Sequence, residues 1–151
     1  MNVEQVCKRN VLTIRPFDGL TDAAKLMREH HIGYLVVVKP AFEEGTYRPV
    51  GVLTDRDIVV AVVARGVDPA TLLVEDVMTR NPVTVNATEQ IESTLPKMRK
   101  AAVRRVPVVG YRGELVGILS LDDVFELIAG NMDNITGVIR GEKPVEAALR
   151  S

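Results

Sequence analysis

Apolar residues change their spacing along this chain in a way that repeats. Leu20, Ala23, Ala24 and Met27 stand one to three residues apart on a single helical stripe, which predicts an amphipathic helix. Leu35 to Val38 and Val50 to Leu53 are short apolar runs rich in valine, separated by Lys39 to Pro49 with its two prolines and one glycine. They predict two strands joined by a turn. A further helix is expected from about Asp55. The same succession then returns: Ile91, Leu95 and Met98 at helical spacing, strands over Val106 to Val109 and Leu115 to Leu119, and a helix from about Leu121. With the short extended pieces Val11 to Ile14 and Pro82 to Val85 placed in front, the order β-α-β-β-α is written twice.

The repetition is visible residue by residue. Setting Val6 on Val77, an offset of 71 residues, carries Arg9-Asn10 onto Arg80-Asn81, Thr13 onto Thr84, Met27-Arg28 onto Met98-Arg99 and Val37-Val38 onto Val108-Val109. Beyond the hairpin the offset falls to 66, and Gly51 to Asp57 lies on Gly117 to Asp123. The difference falls within Lys39 to Pro49, where a hairpin loop tolerates insertion. Asp18 and Thr88 are read as N-caps of the first helix of each copy. Asp68-Pro69 has the form of an N-cap followed by proline at the first helical position, so a short helix is expected in the linker. Pro96 falls inside the second copy's helix, where it removes a hydrogen bond, and a kink or a late helix start is expected there.

Each copy yields a three-stranded sheet with two helices on one face. The other face, rich in valine, requires a partner, and the second copy is the nearest one. The expected fold is α+β: two tandem β-α-β-β-α repeats packed face to face about a pseudo-twofold axis, with two related clefts between them. The boundaries read are 1–66 for the first repeat, 67–75 for the linker, 76–130 for the second repeat and 131–151 for a C-terminal helix and tail. In that last part Val124, Leu127-Ile128, Met132, Ile135 and Val138-Ile139 recur at helical spacing, although Gly130 and Gly137 weaken the helix. The stripe either covers the chain's own core or forms a dimer seam, and the seam is favoured. A loosely held end is expected from Glu142 onward.

Both copies close on Gly-apolar-apolar-Thr/Ser-x-x-Asp: Gly51, Thr54 and Asp57, then Gly117, Ser120 and Asp123. A strand ends at the hydroxyl residue, which caps the next helix, and the aspartate stands in its first turn. An ionised carboxylate there can accept hydrogen bonds from both hydroxyls of a ribose, each contributing roughly 1.5–3 kcal/mol. Amides at the helix start favour an anion. Thr/Ser-x-x-Asp is also a capping pattern in its own right; its occurrence twice at matched positions favours a ligand site.

Composition narrows the rest. The chain is 46% hydrophobic but only 4% aromatic, so the core is aliphatic. Nineteen basic residues against 20 acidic ones leave no global field for nucleic acid or an anionic membrane. Cys7 is the single cysteine, which rules out an internal disulfide and agrees with a reducing compartment. Met1 to Asn10 lacks an apolar signal core, and Ile58 to Ala64 is too short to span a bilayer, so the cytoplasm is the expected location. His30-His31 does not share a helix face and has no cysteine or carboxylate cluster beside it, so no metal site is expected. Asp55-Arg56-Asp57 and Asp122-Asp123 lack a partnered histidine or nucleophile, and no catalytic activity is expected.

From about Val6 to Ala129 the chain resembles a pair of cystathionine-β-synthase-type (CBS) domains, a Bateman module. The marks are Met78-Thr79, Arg104-Arg105-Val106-Pro107-Val108-Val109 and the two Gly…Thr/Ser-x-x-Asp endings. The resemblance implies a non-catalytic regulatory module that binds an adenosine compound (AMP, ADP, ATP, NAD(P) or S-adenosylmethionine) in the clefts between halves. It implies that each cleft takes its ribose aspartate from one repeat and much of its adenine wall from the other. Carried over, the first cleft combines Val52, Thr54, Arg56 and Asp57 with Thr79, Val83, Val103, Arg104 and Arg105. The second combines Ile118, Ser120 and Asp123 with Lys8, Leu12, Ile32, Gly33 and Tyr34. Arg104-Arg105 stands at the family's phosphate-facing position, where the first copy has Gly33-Tyr34, so the first cleft is expected to prefer a charged nucleotide. The second takes a weakly charged adenosine compound, part of a larger ligand, or nothing. A homodimer that signals to a regulated protein through a change of angle between halves is expected. The alternative is a structural adaptor for protein association with vestigial clefts.

Overall fold

The computed structural model describes the backbone of residues 1–150 and the side chains of residues 1–142. The first repeat runs β1 (Thr13–Ile14), α2 (Leu20–His30), β2 (Tyr34–Pro40), β3 (Tyr47–Thr54) and α3 (Asp55–Ile58), after a short α1 (Val3–Val6). A π-helical turn, Val59–Val63, extends α3. The second runs β5 (Val85–Asn86), α5 (Ile91–Ala101), β6 (Arg105–Val109), β7 (Leu115–Ser120) and α6 (Leu121–Arg150), preceded by α4 (Val74–Val77) and β4 (Thr79–Arg80). The α+β, twice-written order expected from the residue pattern is therefore the order observed. The linker holds a 3₁₀ turn, Pro69–Thr71, in which Asp68 Oδ1 accepts from the Ala70 amide at 3.0 Å.

The sheets differ from two independent three-stranded units. One has four strands in the order β1-β2-β3-β4, the other three in the order β5-β6-β7. β4 stands at the head of the second repeat in sequence but pairs with β3, Gly51 opposite Arg80 and Val52 opposite Thr79. The chain's start does the reciprocal thing: Lys8 exchanges backbone hydrogen bonds with Ile118 at 2.9 and 2.8 Å. The short helices cross over too. Val74 of α4 is fully buried with Ile14, Leu20 and Leu53, while Val3 of α1 is fully buried with Val85, Ile91 and Leu119. Each repeat is thus clasped by the segment that precedes the other, and the core of each is aliphatic.

The crossing explains the glycines of the repeated ending. A Cβ on Gly117 would stand 2.7 Å from the Lys8 carbonyl oxygen and 2.9 Å from Cys7 Sγ. A Cβ on Gly51 would stand 2.6 Å from Met78 Sδ and 3.0 Å from the Thr79 carbonyl oxygen. Only glycine lets the second backbone pass this close.

Two sequence expectations are corrected. Neither Asp18 nor Thr88 is a helix N-cap; Gly19 and Gln90 hold those places without a side-chain cap. The first amides are met by the crossing chain instead, Leu20 N–H by the Leu72 carbonyl at 3.0 Å and Ile91 N–H by the Met1 carbonyl at 3.2 Å. Asp18 closes the preceding loop by accepting from the Arg15 amide, and Thr88 donates to Asn86 Oδ1. Pro96 causes no late start: α5 begins at Ile91 and runs past it to Ala101. The Glu92 carbonyl that Pro96 cannot bond belongs to an exposed residue, so the lost hydrogen bond falls on the solvent side of the helix. α6 continues through Gly130 and Gly137 to Arg150; how firmly the segment from Glu142 onward is held falls outside the described residues.

The two sheets meet on a third cluster. Tyr34, Val36 and Val38 of β2 are buried there against Val11, Val52, Leu115 and Ile118, which joins the valine-rich faces of the two repeats. The C-terminal stripe joins the second repeat's core only at its start, where Val124 is buried; Ile128, Met132, Ile135, Val138 and Ile139, and Phe125 beside them, are 51–71% exposed.

Candidate functional site

Both helix starts are capping boxes. At α3, Thr54 Oγ1 accepts from the Asp57 amide at 3.1 Å, and Asp57 Oδ2 accepts from the Thr54 amide at 2.9 Å. At α6, Ser120 Oγ and Asp123 Oδ2 make the same exchange at 3.1 and 3.2 Å. The strand-to-helix corner is therefore fixed by the motif itself. Each carboxylate spends one oxygen on its own corner and has Oδ1 left.

What Oδ1 meets differs. The crossing segment brings Thr79 past β3 and Lys8 past β7, and these two are equivalent positions of the repeat. Lys8 Nζ lies 3.4 Å from Asp123 Oδ1, and the Asp123 side chain is only 5% exposed. Asp57 is half-buried, and among the described residues its Oδ1 accepts no hydrogen bond. One corner carries an unneutralised carboxylate, the other a neutralised one.

A cavity of about 150 Å³ opens between the repeats on the Thr79 side. It is lined by Tyr34 and Val52 of the first repeat, Thr79, Asn81, Pro82 and Val83 of the crossing segment, and Ala101, Val103, Arg105 and Pro107 of the second. Val83 and Val103 remain 39% and 38% exposed, two apolar walls at an open mouth, of the kind that encloses a flat ring system. Of the residues read for the first cleft, the structure brings Val52, Thr79, Val83, Val103 and Arg105 to this cavity. Thr54 and Asp57 stand at the strand end and helix start that follow Val52, and Arg56 is exposed on the first turn of α3. Arg104 is not brought in: its Nη2 lies 3.5 Å from Asp122 Oδ1, and it lines a separate groove along α5 with Leu95, Pro96 and Leu121. Arg104 precedes β6 and Arg105 opens it, and the two line different cavities. Asn81, Pro82, Ala101 and Pro107 were missed; Pro107 was legible as a neighbour of Arg105 in the run that carried the resemblance.

The second set is dispersed. Lys8, Ile118, Ser120 and Asp123 gather at the α6 corner. Leu12 and Ile32 pack against the first repeat's core. Gly33 lies under the α3 corner, its carbonyl accepting from the Asp55 amide at 3.0 Å. Tyr34 lines the cavity on the Thr79 side rather than the Lys8 side. Val11 and Ile118, the counterparts of Pro82 and Val52, pack with Tyr34 in the cluster between sheets. Among the described residues no group of three or more His, Cys, Asp or Glu side chains is placed to hold a metal ion. No helix among them is long and apolar enough to cross a membrane.

Two β-α-β-β-α units clasping each other across a pseudo-twofold axis, with a small cleft at their seam, define a tandem-repeat module. The CBS domain family model matches residues 3–64 and 74–130, and the chain belongs to that family as a pair of CBS domains. An uncharacterised protein of Methanopyrus kandleri is 32% identical over 127 residues, which are 84% of this chain and 62% of that one; the chain thus spans less than two thirds of that relative. The CBS domain pair of protein MJ0100, solved with 5′-methylthioadenosine and S-adenosyl-L-methionine, superposes with TM-score 0.72 at 28% identity, over 87% of this chain and 98% of that one. The CBS domain protein PAE2072 of Pyrobaculum aerophilum, solved with AMP, does so with TM-score 0.70 at 28% identity, over 82% and 89%.

Proposed function

We propose that this protein is a non-catalytic regulatory module of the cytoplasm that binds an adenine nucleotide in the cleft beside Thr79. The observation that carries the reading is the conjunction of that cleft's apolar mouth with a helix-start carboxylate, Asp57, that keeps one oxygen free. The adenine lies between Val83 and Val103, the ribose hydroxyls donate to Asp57, and the guanidinium of Arg105, with Arg56 near the mouth, meets phosphate. AMP, ADP and ATP are the first candidates; NAD(P) and S-adenosylmethionine share the adenosine part. The complexes of two similar CBS proteins, one with AMP and one with 5′-methylthioadenosine and S-adenosyl-L-methionine, support this ligand class.

At about 150 Å³ the cleft is below the 300–1,000 Å³ usual for small-molecule sites. A nucleotide therefore binds best to an arrangement in which the two sheets have turned apart, and its differential affinity shifts the population toward that arrangement. A partner that distinguishes the two arrangements reads occupancy. Melting in the presence of nucleotides tests the reading. A ligand selective for the folded state stabilises by about 2.7 kcal/mol at 100 times its Kd, so AMP, ADP or ATP raises Tm and GTP and CTP do less. Equal responses to all of them would exclude reading of the adenine, and no response to any adenosine compound would favour the adaptor alternative.

The module acts as a homodimer in this reading. Leu121, Phe125, Ile128, Met132, Ile135 and Ile139 follow each other at alternating intervals of four and three, the spacing of a helix seam that packs on a second helix. Gly130 and Gly137 lie off that seam, where a glycine weakens an unsupported helix by about 1 kcal/mol relative to alanine. Light scattering should give a dimer, and Ile135→Asp should shift it toward monomer; a monomeric wild type would end this part of the reading.

A further inference from the structure

Tyr34 belongs, with Val52, both to the cluster between the sheets and to the wall of the cleft, and of the two it alone carries a polar side-chain group. It is 6% exposed, and its hydroxyl is buried without a hydrogen-bond partner. Native structures rarely leave such a group unmatched. Burial pushes the phenol well above its usual pKa, against the pull of the nearby Arg105 guanidinium. The hydroxyl therefore keeps its proton across the physiological range and remains a donor.

Thr79 and Asn81 also bring polar groups to the cavity, but its one cationic donor is the counterpart of Tyr34. Tyr34 opens β2 as Arg105 opens β6, and the two are equivalent positions of the repeat. Arg105 forms no ion pair among the described residues, unlike its neighbour Arg104. A guanidinium has only donors to offer, and a phenol without an acceptor lacks what the guanidinium cannot give. What satisfies both is an acceptor bearing negative charge, and a charged hydrogen bond of this kind is among the stronger ones in proteins.

We infer that Tyr34 is a specificity-determining residue of the cleft: its hydroxyl donates to the same anionic group of the ligand that Arg105 holds, so the site selects a phosphorylated adenosine over the neutral nucleoside. The inference rests on the nucleotide reading of the cleft and adds a residue and a selectivity to it. It also gives the ligand a lever on the seam between repeats. The ring that reaches the anion is packed on Val36, Val38 and Ile118, so satisfying its hydroxyl favours the arrangement that admits the ligand.

Calorimetric titration of wild type, Tyr34→Phe, Arg105→Ala and the double variant with AMP and with adenosine tests this, together with melting of the ligand-free proteins. Tyr34→Phe should weaken AMP about tenfold, the loss of one charged hydrogen bond, and leave adenosine within about twofold. The double variant should lose less than the product of the single losses, because both groups serve one acceptor. Ligand-free Tyr34→Phe should melt at or above the wild-type temperature, since the hydroxyl it removes had no partner. A lower melting temperature would mean that the hydroxyl is already engaged within the protein, and the inference fails. If Tyr34→Phe leaves AMP unchanged, or weakens AMP and adenosine alike, the inference fails and the nucleotide reading stands. If wild type binds neither AMP nor adenosine, the nucleotide reading falls and the inference with it.

Discussion

The two helix-start corners, Thr54 to Asp57 and Ser120 to Asp123, have the same hydrogen bonds to within 0.3 Å and different chemistry. The difference comes from outside the motif. The crossing segment that passes β3 presents Thr79, and the one that passes β7 presents Lys8. Lys8 places a positive charge 3.4 Å from Asp123; Thr79 places none near Asp57. The seam repeats the lesson: the equivalent residues Tyr34 and Arg105 line the same cleft, but only Tyr34 is also buried in the cluster between sheets. A duplicated motif thus fixes two equal scaffolds, and residues contributed by the opposite repeat decide which one has a carboxylate to offer.

The sharpest way to break the comparison is to remove each carboxylate. Asp57→Ala should weaken AMP at least tenfold, since each charged hydrogen bond to ribose contributes roughly 1.5–3 kcal/mol and a tenfold loss takes about 1.4 kcal/mol. Asp123→Ala should leave the main AMP event intact in the same calorimetric titration. Both should cost comparable stability through the lost corner, about 0.5–2 kcal/mol. Reversal of the two affinities would exchange the roles of the clefts.

The crossing itself comes next. Gly117→Ala drives a Cβ into the Lys8 carbonyl oxygen at 2.7 Å, whereas at Gly51 the shortest approach, 2.6 Å, is to the flexible Met78 side chain. Overpacking costs about 1–3 kcal/mol, and urea unfolding should place Gly117→Ala toward the upper end and Gly51→Ala toward the lower. Equal costs would mean that the two crossings are equally adaptable.

The smallest effect should come from Lys8→Ala. The Lys8 side chain is 73% exposed, and exposed pairs contribute about 0–1 kcal/mol, so the melting temperature should move by about 4 °C at most. The variant frees Asp123 Oδ1. If neutralisation is what separates the corners, titration with adenosine should show a second, weak event absent from wild type. Its absence would assign the asymmetry to the packing of Val11 and Ile118 around Tyr34 rather than to charge.

The sequence by itself determined the twofold repetition, the β-α-β-β-α order and the two capped corners. Those features are written in short-range patterns: helical spacing from Leu20 and Ile91, valine-rich runs at β2 and β6, and a hydroxyl three residues before an aspartate. Local spacing is sufficient because backbone hydrogen bonding within a helix or hairpin involves near neighbours. Only the tertiary structure decided where Val3–Val6 and Val74–Val77 pack, that Leu72 and Met1 rather than Asp18 and Thr88 meet the helix starts, and that Arg105 rather than Arg104 lines the cleft. Each of these joins residues about 20 to 120 positions apart or depends on which side of a strand a residue faces. No local periodicity encodes such pairings; they follow from burying Val3 and Val74 against whichever core lies within reach once the repeats have met.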